Sequence, residues 1–341
     1  MNLPQLVLRL DLRNPAFGAS TAALYEAALD MSVWAEHQGF YCVQLSEHHA
    51  SADGYLPSPL VLAAAVAART HRIRIRIALI PLPLNNPLKL AEDLAVLDQV
   101  SQGRLEVVLG AGYVPEEFEM FGVSMGERGR LMEEGIEAIT QAWLGEPFDY
   151  RGRRALVRPR PVQQPRPPLW LGGNSPAAAK RAARLADYFL TYDPTLYQIY
   201  RDTCQSLGHD PGPWGDCSTG FLVASPDVDA EWQRMAPYLL HECNAYGRWQ
   251  AASDTEGQYQ EISDPEMLRE TGLYPILSAE AARAHLDSLG ARDQVCLHPL
   301  VSGFPPEFAW QQLEYFAEAV WQPLQPPSQT LSTPHTGAPT S

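Results

Sequence analysis

Residues 40–49 read Phe-Tyr-Cys-Val-Gln-Leu-Ser-Glu-His-His, and the interpretation of the whole chain starts from them. The stretch from Phe40 to Leu45 is mostly apolar and has the length and composition of a buried strand. Ser46, Glu47, His48 and His49 follow where that strand is expected to end. In a parallel α/β sheet or barrel, the carboxyl ends of the strands face the ligand. The stretch therefore predicts polar groups at a functional edge, and the alternative is a strand that ends in surface residues.

Composition restricts the class of protein. The chain has 341 residues, of which 45% are hydrophobic and 19% are charged, so a large core is available. The formal net charge of -15 argues against nucleic acid and anionic membranes as partners. It leaves room for a phosphate ligand, because backbone amides at a helix start bind phosphate without basic side chains. The first twelve residues lack a signal-peptide pattern and no apolar run reaches transmembrane length, which predicts a soluble, cytoplasmic protein.

The cysteines and histidines do not predict a metal site. The five cysteines are scattered without paired metal spacing, and we interpret them as reduced thiols. His48 and His49 are adjacent, so on a strand they would point to opposite faces. His298 ends the last predicted strand and is expected at the same functional edge, with a capped or surface histidine as the alternative. The remaining histidines considered are interpreted as surface residues; these are His37, His71, His241 and His285.

Strand and helix patterns alternate along most of the chain. Strands are predicted at residues 6–12, 40–45, 73–80, 104–109, 169–171, 187–192, 219–224 and 294–297. Helices are predicted at residues 21–38, 59–70, 87–101, 127–144, 176–185, 195–207, 226–246, 279–289 and 308–321, with a hairpin at 148–160. Eight strands interleaved with helices predict an α/β fold, a (β/α)8 TIM barrel with insertion loops.

The predicted barrel covers residues 1–321 as one domain. Residues 322–341 are rich in Pro, Ser and Thr and are predicted to be a disordered tail. Residues 250–275 are polar and aperiodic, so they predict a long loop and a candidate lid.

Two turns at the predicted carboxyl edge have the composition of binding loops. Gly172, Gly173, Asn174 and Ser175 precede Pro176, and this order combines close backbone approach with a capped helix start that suits a phosphate. A plain, well-capped βα turn is the alternative. The stretch 78–87, Ala-Leu-Ile-Pro-Leu-Pro-Leu-Asn-Asn-Pro, offers an apolar platform for a planar ring or is simply a proline-rich loop. Gly110 is either a site of close ligand approach or part of a tight turn.

Taken in order, these motifs resemble the bacterial luciferase-like flavin monooxygenase superfamily. The set comprises Gly39-Phe40, Ser46-Glu47-His48-His49, residues 91–94, residues 97–104, Leu109-Gly110-Ala111-Gly112-Tyr113, Glu127-Arg128, residues 160–163 and the Gly-Gly-Asn-Ser-Pro turn. They span most of residues 1–200, and the last third of the chain matches only in its βα rhythm.

The resemblance implies a barrel that uses reduced FMN, or in one branch an 8-hydroxy-5-deazaflavin coenzyme. It implies His48 as the catalytic acid or base beside the flavin, with His49 and Glu47 as neighbours. Ala78 and Leu79 are implied to carry a cis peptide bond. Together with Gly110, Gly172 and Gly173 they border the cofactor, and Asn174 and Ser175 hold its phosphate. The resemblance implies O2 and a small organic molecule as substrates. It also implies a separate NAD(P)H-dependent flavin reductase as a transient partner, and assembly as a homodimer.

Two departures and three alternatives accompany the resemblance. Luciferase itself has cysteine and arginine where this chain has Gly110 and Ala111, which implies that this chain binds the cofactor through different contacts. The predicted phosphate turn follows the fifth strand, whereas in barrels it most commonly follows the last two, and the resembled family shares this exception. The alternatives are a deazaflavin-dependent oxidoreductase that transfers hydride, a non-catalytic flavin-binding protein, and a barrel hydrolase or aldolase without flavin.

Overall fold

A curled, seven-stranded parallel sheet organises the protein, seen in a computed structural model that describes residues 3–211, 219–253 and 257–325. The strands are β1 Gln5–Leu10, β2 Cys42–Leu45, β3 Arg74–Pro81, β4 Leu105–Gly110, β5 Phe148–Tyr150, β6 Arg153–Ala155, β7 Leu169–Gly172, β8 Tyr188–Leu190, β9 Val223–Ala224, β10 Ile276–Leu277 and β11 Gln294–Leu297. The sheet order is β11-β1-β2-β3-β4-β7-β8. The carboxyl ends of the parallel strands consequently share one edge.

Helices follow most strands, as the alternating pattern predicted. They are α1 Thr21–His37, α2 Pro59–Arg69, α3 Pro87–Ser101, α4 Pro115–Phe121, α5 Arg128–Trp143, α6 Pro176–Leu185, α7 Pro194–Ser206, α8 Val228–Ala252, α9 Pro265–Glu270, α10 Ala279–Asp287, α11 Pro306–Phe316 and α12 Gln322–Leu324. Ser20 caps α1, because its side chain accepts a hydrogen bond from the Ala23 amide. Among the described residues, no helix is both long and apolar enough to cross a membrane.

In the described residues the α/β fold and the curled parallel sheet are confirmed, but closure into the predicted eight-stranded barrel is not. Of the predicted strand 219–224, only β9 is a strand, and it pairs with β10 instead of joining the main sheet. Thr219 makes a single parallel bridge to Val295 of β11. The physical reason is that the amide of Val223 donates to Pro275 and that of Ser225 to Leu277. Within the described ranges, no continuous ladder therefore joins β8 to β11.

Three boundaries in the last third of the chain also differ from the prediction. Helix α8 does not stop near residue 246 but continues to Ala252. The predicted loop 250–275 contains α9, which Asp264 caps by accepting from the Glu266 amide. The predicted tail begins with the short helix α12, and its residues 326–341 lie outside the described residues.

Two buried charged side chains stabilise the turns that lead into β3 and β4. Arg104 donates hydrogen bonds to the carbonyl oxygens of residues 67, 70, 73 and 101 and to the hydroxyl of Thr70, at 2.7–3.0 Å. Glu36 accepts from the three backbone amides of residues 71–73 at 2.6–2.9 Å. These groups would otherwise be unpaired at helix ends and in a turn, so the two side chains hold α2 and α3 against the sheet.

A polar layer lies across neighbouring strands of the sheet. Arg9, Gln44, Arg76 and Glu106 are in register on β1, β2, β3 and β4. Arg76 Nε lies 2.9 Å from Glu106 Oε2, and its Nη1 donates to Gln294 on β11 at 2.7 Å. The Arg–Ile alternation of β3 is thereby explained, because its arginines belong to this layer.

Candidate functional site

The polar residues after β2 form two hydrogen-bonded pairs. Glu47 Oε1 lies 2.9 Å from His49 Nε2. His48 Nδ1 lies 2.8 Å from Glu117 Oε1, and the same oxygen accepts the backbone amide of His49 at 2.8 Å. Glu117 belongs to α4 and is 1% exposed in its side chain. The motif and the loop after β4 are therefore joined by one buried carboxylate.

Burial shifts the pKa values of His48 and Glu47 in opposite directions. It lowers the pKa of His48, while the hydrogen bond and charge of Glu117 act in the opposite direction. Burial also raises the pKa of Glu47, against the opposing effect of His49. A neutral His48 donates its Nδ1 proton to Glu117, which leaves Nε2 as the atom that accepts or delivers a proton.

The predicted apolar platform brings together three neighbouring strands. The Ala78–Leu79 peptide bond is cis, as the resemblance implied. A Cβ atom on Gly110 would lie 2.5 Å from Leu79 Cδ1, and one on Gly172 would lie 2.9 Å from Leu79 Cδ2. A side chain at either position would displace Leu79 from where it lies, so the two glycines allow Leu79 to pack there. The arrangement suits a planar ring lying beside Leu79 at the carboxyl edge of β3, β4 and β7.

The predicted phosphate turn lies at the end of the same strand β7. A Cβ on Gly173 would lie 2.5 Å from the Cβ of Ala178, so this glycine allows the turn to pack on its own helix. Ser175 caps α6 by accepting from the Ala178 amide at 3.2 Å. Asn174 and Ser175 are exposed. The exposed, capped start of a ten-residue helix suits a phosphate group, so platform and turn together fit a flavin nucleotide.

Aromatic side chains, which the sequence interpretation did not single out, surround His48. The ring centroid of His48 lies 4.4 Å from that of Trp249 and 4.8 Å from that of Tyr55. Tyr113 and Tyr246 lie at 5.8 and 6.1 Å. Tyr246 and Trp249 come from the carboxyl-terminal half of α8, so this helix covers the edge where the strands end. The position of Trp249 depends on an α8 that continues beyond residue 246, where the sequence pattern predicted its end.

His298 lies at the predicted edge but is fully buried in a charged cluster. Its Nε2 lies 3.3 Å from Asp11 Oδ1, and its Nδ1 lies 3.5 Å from Glu242 Oε1. These three side chains bring possible metal-ligand atoms within 4.8 Å of one another. Arg9 Nη2 lies 3.1 Å from Glu242 Oε1, so a guanidinium already supplies positive charge there.

His241, expected at the surface, is half-buried, and its Nε2 lies 2.7 Å from Asp53 Oδ2.

Comparison with known proteins gives the family. A family model described as luciferase-like monooxygenase matches residues 11–294. The oxygenase component of the flavin-dependent trigonelline monooxygenase of Acinetobacter baylyi is 29% identical over 160 residues, which are 45% of this chain and 44% of that protein. An F420-dependent glucose-6-phosphate dehydrogenase of Nakamurella multipartita is 29% identical over 186 residues, 51% of this chain and 54% of that protein.

A solved structure extends the likeness to nearly the whole chain. The monooxygenase RslO1 of Streptomyces bottropensis superimposes with a TM-score of 0.77 at 25% identity, covering 94% of this chain and 100% of that one. By sequence, the chain spans about half the length of the curated relatives it matches. The extent of the family match, with the fold described above, shows that this chain belongs to the luciferase-like monooxygenase family, which also has F420-dependent oxidoreductases among its relatives.

Proposed function

We propose that this protein is a flavin-dependent monooxygenase that uses reduced FMN and O2 to place one oxygen atom in a small organic substrate. The observation that carries the proposal is the packing of Leu79 against Gly110 and Gly172, one strand away from the His48–Glu117 pair. A planar ring on this platform would face a histidine whose Nδ1 is held by Glu117. The trigonelline monooxygenase relative supports the oxygen-transfer chemistry.

Each part of the site has a defined task in this proposal. When bound, the reduced flavin supplies the electrons that activate O2. Leu79 supports the ring, and Asn174 and Ser175 bind the phosphate at the start of α6. His48 Nε2 holds or moves the proton that oxygen transfer requires, and Glu117 orients the imidazole.

The surroundings of His48 complete the proposed roles. Glu47 and His49 form the neighbouring pair that keeps the motif in place. Tyr246 and Trp249 cover the site and exclude water, which protects a reactive oxygen species from decay. Hydroxylation and Baeyer–Villiger insertion both fit this arrangement. The family resemblance adds two proposals, supply of reduced FMN by a separate NAD(P)H-dependent reductase and assembly as a homodimer.

A second candidate is hydride transfer with an 8-hydroxy-5-deazaflavin coenzyme. The similarity to an F420-dependent dehydrogenase favours it, because the same fold serves both cofactors among the relatives. In that reaction His48 would donate or accept a proton at the substrate, and O2 would not be consumed.

The test is anaerobic titration with photoreduced FMN and, in parallel, with the reduced deazaflavin coenzyme, followed by O2 admission. Tight binding of reduced FMN, with O2 uptake that responds to added organic substrates, supports the monooxygenase. Binding of the deazaflavin alone replaces it with the second candidate. Binding of neither cofactor refutes both.

Two variants locate the site in the same assay. In Gly110→Ala the new methyl group must displace Leu79, so the Kd for reduced FMN should rise about tenfold or more. Gly220→Ala is the matched control, because a Cβ there meets no atom within 4 Å. His48→Ala should abolish turnover while FMN still binds. Full activity in His48→Ala, or unchanged FMN affinity in Gly110→Ala, would contradict the assignment.

A further inference from the structure

The side chain of Arg13 is buried, and two of its three nitrogen atoms have no hydrogen-bond partner among the described residues. It follows β1, is 0% exposed, and donates from Nη1 to Asp53 Oδ2 at 2.6 Å. Its Nε and Nη2 are buried and have no hydrogen-bond partner in the described part of the chain. The nearest carboxylate oxygen to Nε in an ion pair, Asp11 Oδ2, lies 4.0 Å away, which is too far for a hydrogen bond. Unpaired buried donors lower the stability of a fold, so the guanidinium edge formed by Nε and Nη2, called the unused edge below, is a candidate contact for a ligand.

The unused edge has the geometry that recognises a carboxylate. The N–H groups of Nε and Nη2 lie in the guanidinium plane and point in parallel from the same edge of it. Two parallel N–H···O bonds from such an edge to a carboxylate are among the strongest contacts that arginine forms. An external anion with two oxygens in one plane is the ligand that satisfies both donors at once. A neutral group would satisfy one of them.

Aromatic rings enclose the guanidinium and connect it to His48. The guanidinium carbon lies 4.7 Å from the ring centre of Tyr55, 4.8 Å from that of Tyr246 and 4.6 Å from that of Trp249. The same rings of Tyr55 and Trp249 contact His48. A flat organic acid held at Arg13 would therefore lie among these rings and next to His48. Since Tyr246 and Trp249 cover the edge, entry of the acid requires these two rings to move.

Of the two carboxylates around Arg13, Asp53 is hydrogen-bonded to other groups, whereas Asp11 Oδ2 has ion-pair contacts but no hydrogen bond. Asp53 also accepts from Ser51 and lies 2.7 Å from His241 Nε2. Asp11 lies 3.7 Å from Arg9 Nη2 and 3.3 Å from His298 Nε2. Neither acid turns an oxygen to within hydrogen-bond distance of Nε or Nη2, so both donors stay open to an external anion.

We propose that Arg13 binds the carboxylate of a flat, aromatic or conjugated organic acid, and that such acids are the substrate class of this protein. The bidentate contact places the ring of the acid against Trp249 with its reacting carbon near His48. The inference rests on the proposed function for the chemistry that follows. The binding step itself needs neither flavin nor O2, so the two proposals fail separately.

Calorimetry on the full chain without flavin tests the contact with benzoate and cinnamate, each paired with its neutral amide. Each acid should bind about tenfold or more tightly than its amide. Arg13→Gln should remove this preference, and Arg13→Lys should lose most of it, because lysine keeps the charge without the fork. Arg9→Gln is the matched control, since it removes the same charge from the same cluster and keeps the fork of Arg13; its preference should remain.

Thermal melting identifies variants that fail to fold, and Arg13→Lys then serves as the substitute for Arg13→Gln. Equal binding of acids and amides, or no binding of either acid, overturns the proposal. An equal loss in Arg9→Gln and Arg13→Gln also overturns it, since the effect would then come from net charge. Preferential acid binding without FMN binding would support the Arg13 site and refute the monooxygenase. FMN binding without preferential acid binding would refute the Arg13 site and leave the monooxygenase proposal standing.

Discussion

Replacing Arg104 by glutamine tests how the loops at the amino edge of the sheet are held. The guanidinium donates to carbonyl oxygens at residues 67, 70, 73 and 101 and to the Thr70 hydroxyl. Glutamine reaches at most two of these acceptors, so about three buried hydrogen bonds are lost. At about 1 kcal/mol net for each bond, the free energy of unfolding should fall by about 3 kcal/mol. The loss concerns stability, because Arg104 lies at the edge opposite to His48.

Urea unfolding followed by circular dichroism measures the change, with Arg72→Gln as the control. Arg72 is exposed, and its replacement should change the free energy of unfolding by less than about 0.5 kcal/mol. Arg104→Lys should give an intermediate value, because an ammonium donates from one point and the acceptors are spread around a plane. Should Arg104→Gln unfold at the same urea concentration as the wild type, the hydrogen bonds would contribute nothing net and the reasoning would be wrong.

Two further predictions concern ionisable groups. In Glu117→Gln the pKa of His48, already lowered by burial, should fall further because the carboxylate that opposes the effect of burial is gone. A 15N NMR titration measures this pKa, and Glu116→Gln on the exposed face of α4 is the control. An unchanged pKa of His48 in Glu117→Gln would disprove the pairing. Burial pushes the pKa of Glu36 up, but the amides of residues 71–73 outweigh it and the pKa is lowered below 4.5. The stabilisation that Glu36 provides is therefore present above pH 4.5 and is lost as the pH falls through the lowered pKa. The free energy of unfolding of Glu36→Gln should then depend less on pH in that range than that of the wild type. Equal pH dependence of the two proteins would contradict this.

Several elements of the first 200 residues could be predicted because their signals are local. The helix cap at Ser20, the strand before Ser46 and the helix start at Pro176 each depend on a few adjacent residues, and the structure has all three. The hairpin predicted within residues 148–160 is confirmed, and both residues of its turn, Arg151 and Gly152, have positive φ angles.

The remainder depends on contacts between distant segments, which periodicity does not report. Strand β10 has two residues and exists only because β9 pairs with it. Glu117 is one of several acidic residues in its segment, and its burial against His48 depends on how α4 folds back over β2. Arg13 stands in a stretch that resembles an ordinary polar turn, and only the positions of Tyr246 and Trp249, more than two hundred residues later, reveal its surroundings.

The pairing of β1 with β11 has a consequence for how the chain folds during synthesis. The side chains of Gln5 and Gln294 are hydrogen-bonded across 289 positions. The ladder from β1 through β8 can form while the last part of the chain is still in the ribosome, but the outer edge of β1 then stays open. An open, apolar strand edge pairs readily with other chains. A nascent chain interrupted before residue 294 should therefore aggregate through β1, and the last strand acts as the closing step that ends this exposure.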